Sequence, residues 1–196
     1  MDCMKIGRLI TKLRKEKRLT QKNIADALGI TNKTVSKWEC GLGCPDLSYW
    51  AELSEILGVD MVQMMEGEIT ANNPDSGNVD KVRFYVCPSC GNVLVSTGSA
   101  SIFCCGRKLE REFPKEELST PHITVEETDM DYYITIDHPM TKEHYLSFAA
   151  YVNSDKVFLN RLYPEQSPAF RFPVISRGKL YVYCVKHGLM LYSDTP

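Results

Sequence analysis

The sequence has no apolar run near the roughly 18 residues that a membrane-spanning helix needs, so it predicts no transmembrane segment. Its N-terminus interleaves charged with apolar side chains, which excludes the apolar core of a secretory signal peptide. Histidine is scarce, with only four in 196 residues. Hydrophobic residues make up 43% and charged residues 24% of the chain, which is typical of a globular protein. We therefore expect a cytoplasmic protein.

Basic residues are missing from residues 41–70, which carry six acidic ones. Residues 1–40, in contrast, carry ten Lys and Arg against four Asp and Glu, a surplus of six positive charges. The formal net charge of −2 conceals this asymmetry. A basic surface on a small domain is typical of phosphate binding, and the alternative is a solvated helix face.

Apolar residues recur at helical spacing through the first 66 residues. The predicted helices cover residues 4–18, 21–28, 32–39, 45–57 and 59–65. Gly29 and Gly58 are placed to end the second and fourth helices. The apolar stripe predicted for the fourth helix consists of Leu47, Trp50, Leu53, Ile56 and Leu57. We expect an all-α five-helix domain over residues 1–66, in a multidomain protein.

The segment LTQKNIADALGITNKTVSKWECG, followed by PDLSYWAELSEILGVD, resembles the Cro-type (XRE-like) helix-turn-helix family over the first third of the chain. In that family the third helix lies in the major groove of double-stranded DNA. The resemblance implies a backbone contact by Gln21 and a phosphate contact by Thr34. It also implies a base-facing set: Asn32, Lys33, Ser36 and Lys37. Asn suits adenine and Lys suits guanine. The alternative is a row of solvent-facing polar residues.

Eight cysteines would indicate disulfides in a secreted chain, but in a reducing cytosol they indicate metal ligation. Cys40 and Cys44 stand where the helix-turn-helix family has polar loop residues. With Cys3 they could form a thiol sensor, but we expect inert thiols. Beyond this domain, residues 67–81 are rich in Gly, Pro, Asn, Asp and Ser and predict an exposed linker.

Two cysteine pairs follow the linker, Cys87-x2-Cys90 and the adjacent Cys104 and Cys105. Adjacent side chains on a strand point to opposite faces, so both can bind one metal only if the backbone bends, which Gly106 permits. Four thiolates suit Zn²⁺ or a single iron; reduced structural thiols are the alternative. The segment CPSCGNVLVSTGSASIFCCGRKL is similar to desulforedoxin, which carries the same pairs around iron. We assign residues 82–112 to this four-cysteine metal knuckle.

From about residue 119 the pattern changes to period two, and six segments are predicted to be strands. They are HITVEE, DYYITID, HYLSFAAYV, KVFLNRLY, AFRFPV and KLYVYCV. Short strands with short polar turns predict an all-β, immunoglobulin-like antiparallel sandwich over residues 119–196. Spacing alone leaves open whether Cys184-x2-His187 is half of a metal site or a pair of unrelated side chains.

The stretches His138-Pro-Met-Thr-Lys-Glu-His144-Tyr and Tyr183-Cys184-Val-Lys-His187-Gly-Leu resemble the superoxide reductase domain of desulfoferrodoxin. That family also places a desulforedoxin knuckle before the sandwich. The resemblance implies a non-haem iron, four histidines in its plane, and an axial thiolate that promotes one-electron donation. The implied ligands are His122, His138, His144, His187 and Cys184. In the family, superoxide binds the open position and leaves as hydrogen peroxide.

The sequence departs from that family immediately before the first histidine. The family commonly has Glu-Lys there, and its lysine attracts superoxide and helps to protonate the product. This chain has Thr120 and Pro121. Lys142 and Lys186 are candidate replacements, although surface lysines are usually only solvated.

Two functions of different classes remain open. The first is a homodimeric transcriptional regulator that senses superoxide, redox state or iron and binds an operator. The second is a superoxide reductase with an appended DNA-binding domain. A third possibility is Zn²⁺ at both sites, acting only as a scaffold for a dimer. The absent Glu-Lys pair favours the sensor, whereas the complete ligand set favours the enzyme.

Overall fold

The computed structural model describes residues 2–74, 82–115, 121–174 and 178–192. It divides into two compact units, Met1–Ala71 and Asn72–Pro196. Residues 75–81 of the predicted linker lie outside the described residues. Among the residues that are described, no helix is long and apolar enough to cross a membrane.

The first unit is helical. Its elements are α1 (Cys3–Glu16), α2 (Gln21–Ala27), α3 (Asn32–Glu39), a 3-10 turn (Leu47–Tyr49), α4 (Trp50–Leu57) and α5 (Met61–Glu66). Side-chain oxygens of Asp2, Thr20, Thr31 and Asp60 accept hydrogen bonds from the first backbone N–H groups of α1, α2, α3 and α5. Short capped helices therefore follow one another closely along the chain.

Close helix packing holds α3 against α1. A Cβ atom added at Gly7 of α1 would lie 2.1 Å from the carbonyl oxygen of Trp38, so only glycine fits there. At the end of α3, Glu39 accepts hydrogen bonds from Arg14 Nη2 at 2.9 Å and from Gln21 Nε2 at 2.8 Å. These contacts fix the position of α3 relative to α1 and α2.

The predicted helices differ from the structure in detail. The fourth helix begins at Trp50 and not at residue 45, because residues 47–49 form a separate 3-10 turn. Leu47 is 73% exposed rather than part of the apolar stripe, because the chain at 47–49 forms a 3-10 turn whose side chains follow a different period. The last helix begins at Met61 and not at Val59, because the carboxylate of Asp60 caps it.

The second unit consists of strands. They are β1 (Arg83–Val86), β2 (Val93–Ser96), β3 (Ile102–Cys104), β4 (Arg107–Leu109), β5 (Ile123–Glu127), β6 (Asp131–Ile136), β7 (Leu146–Val152), β8 (Val157–Arg161), β9 (Ala169–Pro173), β10 (Lys179–Cys184) and β11 (Gly188–Tyr192). Strands β1 with β2 and β3 with β4 form two hairpins, and the others form a four-stranded sheet, β11-β10-β7-β8, and a three-stranded sheet, β5-β6-β9. The pairings between these strands are antiparallel. Strand β11 was not among the predicted strands.

Strand β7 is buried along its whole length, because both of its faces are covered. Ala149 and Tyr151 belong to the core that β7 shares with the three-stranded sheet. Phe148 and Ala150, on the opposite face, pack in a second core with Phe84 of β1. The β1–β2 hairpin, whose turn carries Cys87 and Cys90, is thus joined to the large sheet by an apolar core of its own.

Candidate metal centres and nucleic-acid interface

Two turns bring the four knuckle cysteines together. In the turn after β1, the N–H of Gly91 donates to the Cys87 carbonyl oxygen at 2.8 Å. Between β3 and β4, Cys105 and Gly106 have φ angles of 50° and 73°, the left-handed values of a two-residue hairpin turn. The backbone therefore bends between the adjacent cysteines and Arg107, as they need in order to face one ion. Both Cys105 and Gly106 form this bend.

The sulfur atoms of the knuckle lie at the spacing of a tetrahedral thiolate site. The ligand atoms of Cys87, Cys90, Cys104 and Cys105 all lie within 4.8 Å of one another. Cys104 Sγ is 3.6 Å from Cys90 Sγ and 4.0 Å from Cys105 Sγ. Four thiolates at the usual Zn–S distance would be about 3.8 Å apart. The donor set and its spacing therefore fit one Zn²⁺ or iron ion.

The pKa values of the knuckle cysteines also favour the binding of a cation. Hydrogen bonds from the backbone N–H groups of Cys90 and Ser89 lower the pKa of Cys87 to about 6. Crowding by the sulfurs of Cys90, Cys87 and Cys104 raises the pKa of Cys105 to about 12. One thiolate forms readily, but the last requires a positive charge among the sulfurs.

A second cluster gathers His138, His144, Cys184 and His187, whose ligand atoms lie within 4.8 Å of one another. The two histidines His138 and His144 flank the loop between β6 and β7, where Thr141 and His144 exchange backbone hydrogen bonds. Cys184 ends β10 at a register shift, and His187 occupies the turn into β11. A hairpin end and one loop thus supply all four side chains.

The three imidazole rings stand edge to face around a common point. The ring centroid of His144 lies 4.7 Å from the centroid of His138 and 4.7 Å from that of His187, at interplanar angles of 78° and 89°. His138 pairs its Nδ1 with the Pro139 carbonyl oxygen at 2.6 Å. Within the described chain, the Nε2 atoms of His138 and His144 are buried without a hydrogen-bond partner. Orphaned ring nitrogens that converge in this way fit a metal ion.

The lowered pKa values of two histidines and the position of the Cys184 sulfur also favour metal binding. Burial lowers the pKa of both His138 and His144, and the neighbouring His187 lowers them further, so that their neutral, metal-binding forms are favoured. Cys184 is fully buried, and its sulfur accepts a hydrogen bond from the backbone N–H of Lys186 at 3.4 Å. The N–H group orients the sulfur as a ligand.

His122, the fifth predicted ligand, is not among the gathered side chains. It is exposed at the start of β5, but its carbonyl oxygen accepts the N–H of Asp137 at 2.9 Å, so its backbone lies beside the residue that precedes His138. Thr120 belongs to the segment 116–120, which lies outside the described residues. The position of His122 as a ligand stays a prediction.

The two candidate lysines differ in their surroundings. Lys142 is exposed and its Nζ lies 3.9 Å from a carboxylate oxygen of Glu165, which offsets its charge. Lys186, beside His187, acts electrostatically on His144 and helps to lower its pKa. Of the two, Lys186 contributes the positive potential at the cluster.

The predicted DNA-facing residues lie on α3 and at the start of α2. Asn32, Lys33 and Lys37 are exposed, and the half-buried Thr34 and Ser36 lie between them. The hydroxyl of Thr34 lies 2.9 Å from that of the capping residue Thr31. Gln21 donates its amide to Glu39, so it also holds α3 in place, a structural role that spacing does not reveal.

One expectation about the cysteines is wrong. Cys3 and Cys44 are joined by a disulfide bond across 41 residues, rather than being inert thiols. Cys40 is free and exposed. No pattern in the sequence predicts the pairing, because α1 and the loop after α3 meet only in the folded unit.

Comparisons with known proteins match two different parts of the chain. The helix-turn-helix family HTH_3 matches residues 10–63. An HTH-type transcriptional regulator of Bacillus subtilis, YqaE, is 41% identical over 59 residues, which cover 30% of this chain and 51% of that protein. The match covers only about half of the length of YqaE.

The remainder resembles proteins of a different kind. Desulfoferrodoxin of Clostridium acetobutylicum is 28% identical over 113 residues, covering 54% of this chain and 90% of the relative. A desulfoferrodoxin homologue of Methanothermobacter thermautotrophicus is 27% identical over 117 residues, covering 55% and 94%. The solved superoxide reductase of Treponema pallidum aligns with a TM-score of 0.49 and 18% identity over 57% of this chain and 96% of that one. The chain therefore joins a helix-turn-helix domain of the HTH_3 type to a desulfoferrodoxin-like region with two candidate metal sites.

Proposed function

We propose that the protein is a DNA-binding transcriptional regulator whose desulfoferrodoxin-like region holds iron and senses superoxide or redox state. The observation that carries the proposal is the convergence of three imidazoles and one buried thiol in a chain that also carries a helix-turn-helix domain. We also infer that the three- and four-stranded sheets form an immunoglobulin-like sandwich.

The residues of the second cluster fit iron, and each has a distinct part. His138, His144 and His187 would present ring nitrogens, and Cys184 would present a sulfur from the end of β10. His122, just before β5, would complete the set. Iron(II) bound there would supply one electron to superoxide, and the thiolate would make that donation easier. The four-cysteine knuckle fits iron or Zn²⁺ equally well, since both ions accept four thiolates in a tetrahedral arrangement.

The surroundings of the second cluster favour sensing over rapid turnover. Proline at 121 provides no charge to attract superoxide or to deliver a proton, and Lys142 is offset by Glu165. Lys186 supplies a positive potential near His144. Superoxide reductase activity is the second candidate function, since this region resembles desulfoferrodoxins and its gathered side chains fit iron.

DNA recognition by one α3 helix reads too few base pairs for useful specificity. We therefore propose a homodimer that binds a two-fold operator with half-sites about one helical turn apart. On α3, Asn32, Lys33, Ser36 and Lys37 would face the base edges. Gln21 and Thr34 would lie close to the sugar-phosphate backbone.

Anaerobic purification with metal analysis, followed by visible spectroscopy on oxidation, tests this proposal. We expect iron in the protein and a thiolate-to-iron absorption band that Cys184→Ser removes, while any band from knuckle iron persists. Cys40→Ser, which changes a free exposed cysteine, is the matched control and should leave both signals unchanged. Zinc alone at both sites would overturn the redox proposal. Rapid superoxide consumption without any effect on DNA binding would favour the enzyme.

A further inference from the structure

A disulfide joins Cys3 to Cys44 within the helix-turn-helix unit, separate from both candidate metal sites. Cys3 is the first residue of α1, and Cys44 lies in the loop that joins α3 to the 3-10 turn. All eight cysteines are described, and the other six form no disulfide. Four of those six belong to the knuckle, and Cys184 belongs to the histidine cluster.

The bond attaches the loop that directly follows α3 to the first turn of α1. After α3, the N–H of Gly41 donates to the Trp38 carbonyl oxygen at 3.0 Å, and the N–H of Leu42 donates to that of Lys37 at 2.9 Å. Gly41 has a φ of +71°, and an added Cβ there would lie 2.1 Å from Met4 Sδ. The first turn of α1 therefore touches this loop at two points, by packing at Gly41 and covalently at Cys44.

We propose that Cys3 and Cys44 form a reversible dithiol–disulfide site that is oxidised by hydroperoxides and that alters DNA binding by tethering or releasing the loop after α3. The inference goes beyond the proposed function, because it requires no metal. Both residues are partly exposed, so a small oxidant can reach them. In the dithiol form Cys3 would stand at the first residue of a 14-residue helix, where the helix dipole favours a thiolate.

The chemistry balances with hydrogen peroxide as the oxidant. One thiolate of the pair attacks a peroxide oxygen, the O–O bond breaks, hydroxide leaves, and a sulfenic acid forms. The second thiol attacks that sulfur, the S–S bond forms, and water leaves. In total, two thiols lose two electrons and two protons, and one peroxide becomes two waters. A thiol reductant reverses the change by disulfide exchange.

The disulfide would affect DNA binding because it ends in the loop that follows α3. The ion pair between Arg14 and Glu39 fixes the end of α3, but in the dithiol form the loop from 40 to 46 loses its covalent attachment to α1. The loop is therefore more rigid in the disulfide form than in the dithiol form. Less conformational entropy is then lost from this loop when α3 binds DNA. We expect it to be the tighter DNA-binding form.

The test compares reduced and peroxide-treated full-length protein under anaerobic conditions. Cysteine alkylation with peptide mass spectrometry should show Cys3 and Cys44 joined after peroxide and released by a thiol reductant. Oxidation should raise the midpoint of the first thermal transition by about 10 °C. It should also lower Kd on the order of tenfold for a duplex that the reduced chain selects from a random pool, and weaker binding on oxidation would contradict the proposed effect of the tether.

The controls separate this inference from the metal proposal. In a Cys184→Ser background, which removes the response expected of the iron site, Cys44→Ser should abolish all three changes, and Cys40→Ser, in the same loop, should preserve them. Cys184→Ser should also preserve them, so a failure of the iron proposal would leave this result intact. If Cys44→Ser does not fold, the wild-type comparison alone decides. Cys3 and Cys44 that stay alkylatable after peroxide, or equal Kd and thermal midpoints in the two forms, would overturn the inference.

Discussion

At the scale of single residues, the histidine cluster is built by hydrogen bonds and burial rather than by the ligands alone. The Pro139 carbonyl oxygen faces His138 Nδ1, which leaves Nε2 directed inward. The backbone N–H of Lys186 contacts the sulfur of Cys184. Such partners fix the tautomer and direction of a ligand before any ion binds. Spacing indicates which residue types can bind a metal, but not which backbone groups orient them.

The first prediction concerns His122, whose backbone is placed beside the cluster while its ring is exposed. His122→Ala should lower the number of nitrogen ligands seen by X-ray absorption from four to three. It should also speed iron loss by at least about tenfold, because even outer-shell changes cost 10- to 100-fold in affinity.

Thr124→Ala, two residues further along the same strand and likewise exposed, is the control and should change neither quantity. An unchanged nitrogen count in His122→Ala would remove this histidine from the ligand set.

At the scale of elements, turns bring the ligands together more than strands do. Cys105 and Gly106 form the whole connection between β3 and β4 in left-handed backbone, and a three-residue turn carries His187. The sequence predicted a bend at Gly106 because two adjacent cysteines cannot otherwise face one ion. It did not predict that Cys105 itself takes the left-handed conformation, which is costly for a residue with a side chain.

Gly106→Ala therefore tests the turn. Nothing lies within 4 Å of an added Cβ at this position, so the cost comes from the φ of +73° alone, about 1–2 kcal/mol. Metal transfer from the knuckle to a chromophoric chelator should become about 5- to 30-fold more favourable, since metal binding and folding are coupled.

Gly98→Ala is the matched control, because Gly98 also has open space around it and lacks a left-handed φ. Equal chelator competition by the two variants would contradict the role of this turn.

The anchoring of α3 is a second element-scale property. Burial alone would raise the pKa of Glu39, but hydrogen bonds from Arg14 and Gln21 outweigh it, and the net pKa lies below the ordinary value. The carboxylate therefore stabilises the folded first unit above the ordinary glutamate pKa. This contribution is lost as the pH falls through the lowered folded-state pKa.

Glu39→Gln should reduce the free energy of unfolding of the first unit at neutral pH by about 3 kcal/mol, because it leaves the buried guanidinium of Arg14 without its counter-charge. The variant should also lose stability less steeply on acidification than the wild type. Urea unfolding at neutral and acidic pH measures both effects. Glu52→Gln, on the exposed face of α4, is the control, and a wild-type acid profile in Glu39→Gln would refute the assignment.

At the scale of the whole molecule, local signals were predictable and long-range ones were not. Gly29 and Gly58 follow α2 and α4 with left-handed φ angles of +65° and +64°, as their positions in the sequence predicted. The Cys3–Cys44 bond joins residues 41 apart, and no local pattern encodes it. Strand β11 was not predicted, because GLMLY lacks the polar alternation of a half-exposed strand.

The sequence also indicates which segments carry the candidate metal ligands, because each pair of cysteines or histidines lies within one short segment. How the metal ligands combine is a tertiary property. The loop after β6 and the hairpin of β10 and β11 meet only because β7 pairs with β10. A sequence pattern can therefore nominate ligands, but the sheet topology decides which of them share an ion.

We propose that the state of the desulfoferrodoxin-like region controls the DNA affinity of the helix-turn-helix domain. The most direct measurement is the Kd of the iron-loaded chain for its selected duplex, by fluorescence anisotropy, with the iron reduced and then oxidised by superoxide. A Cys3→Ser/Cys44→Ser background removes the disulfide from the comparison. We predict a change in Kd on the order of tenfold, which Cys184→Ser abolishes. Equal Kd values for the reduced and oxidised iron-loaded protein would contradict the account.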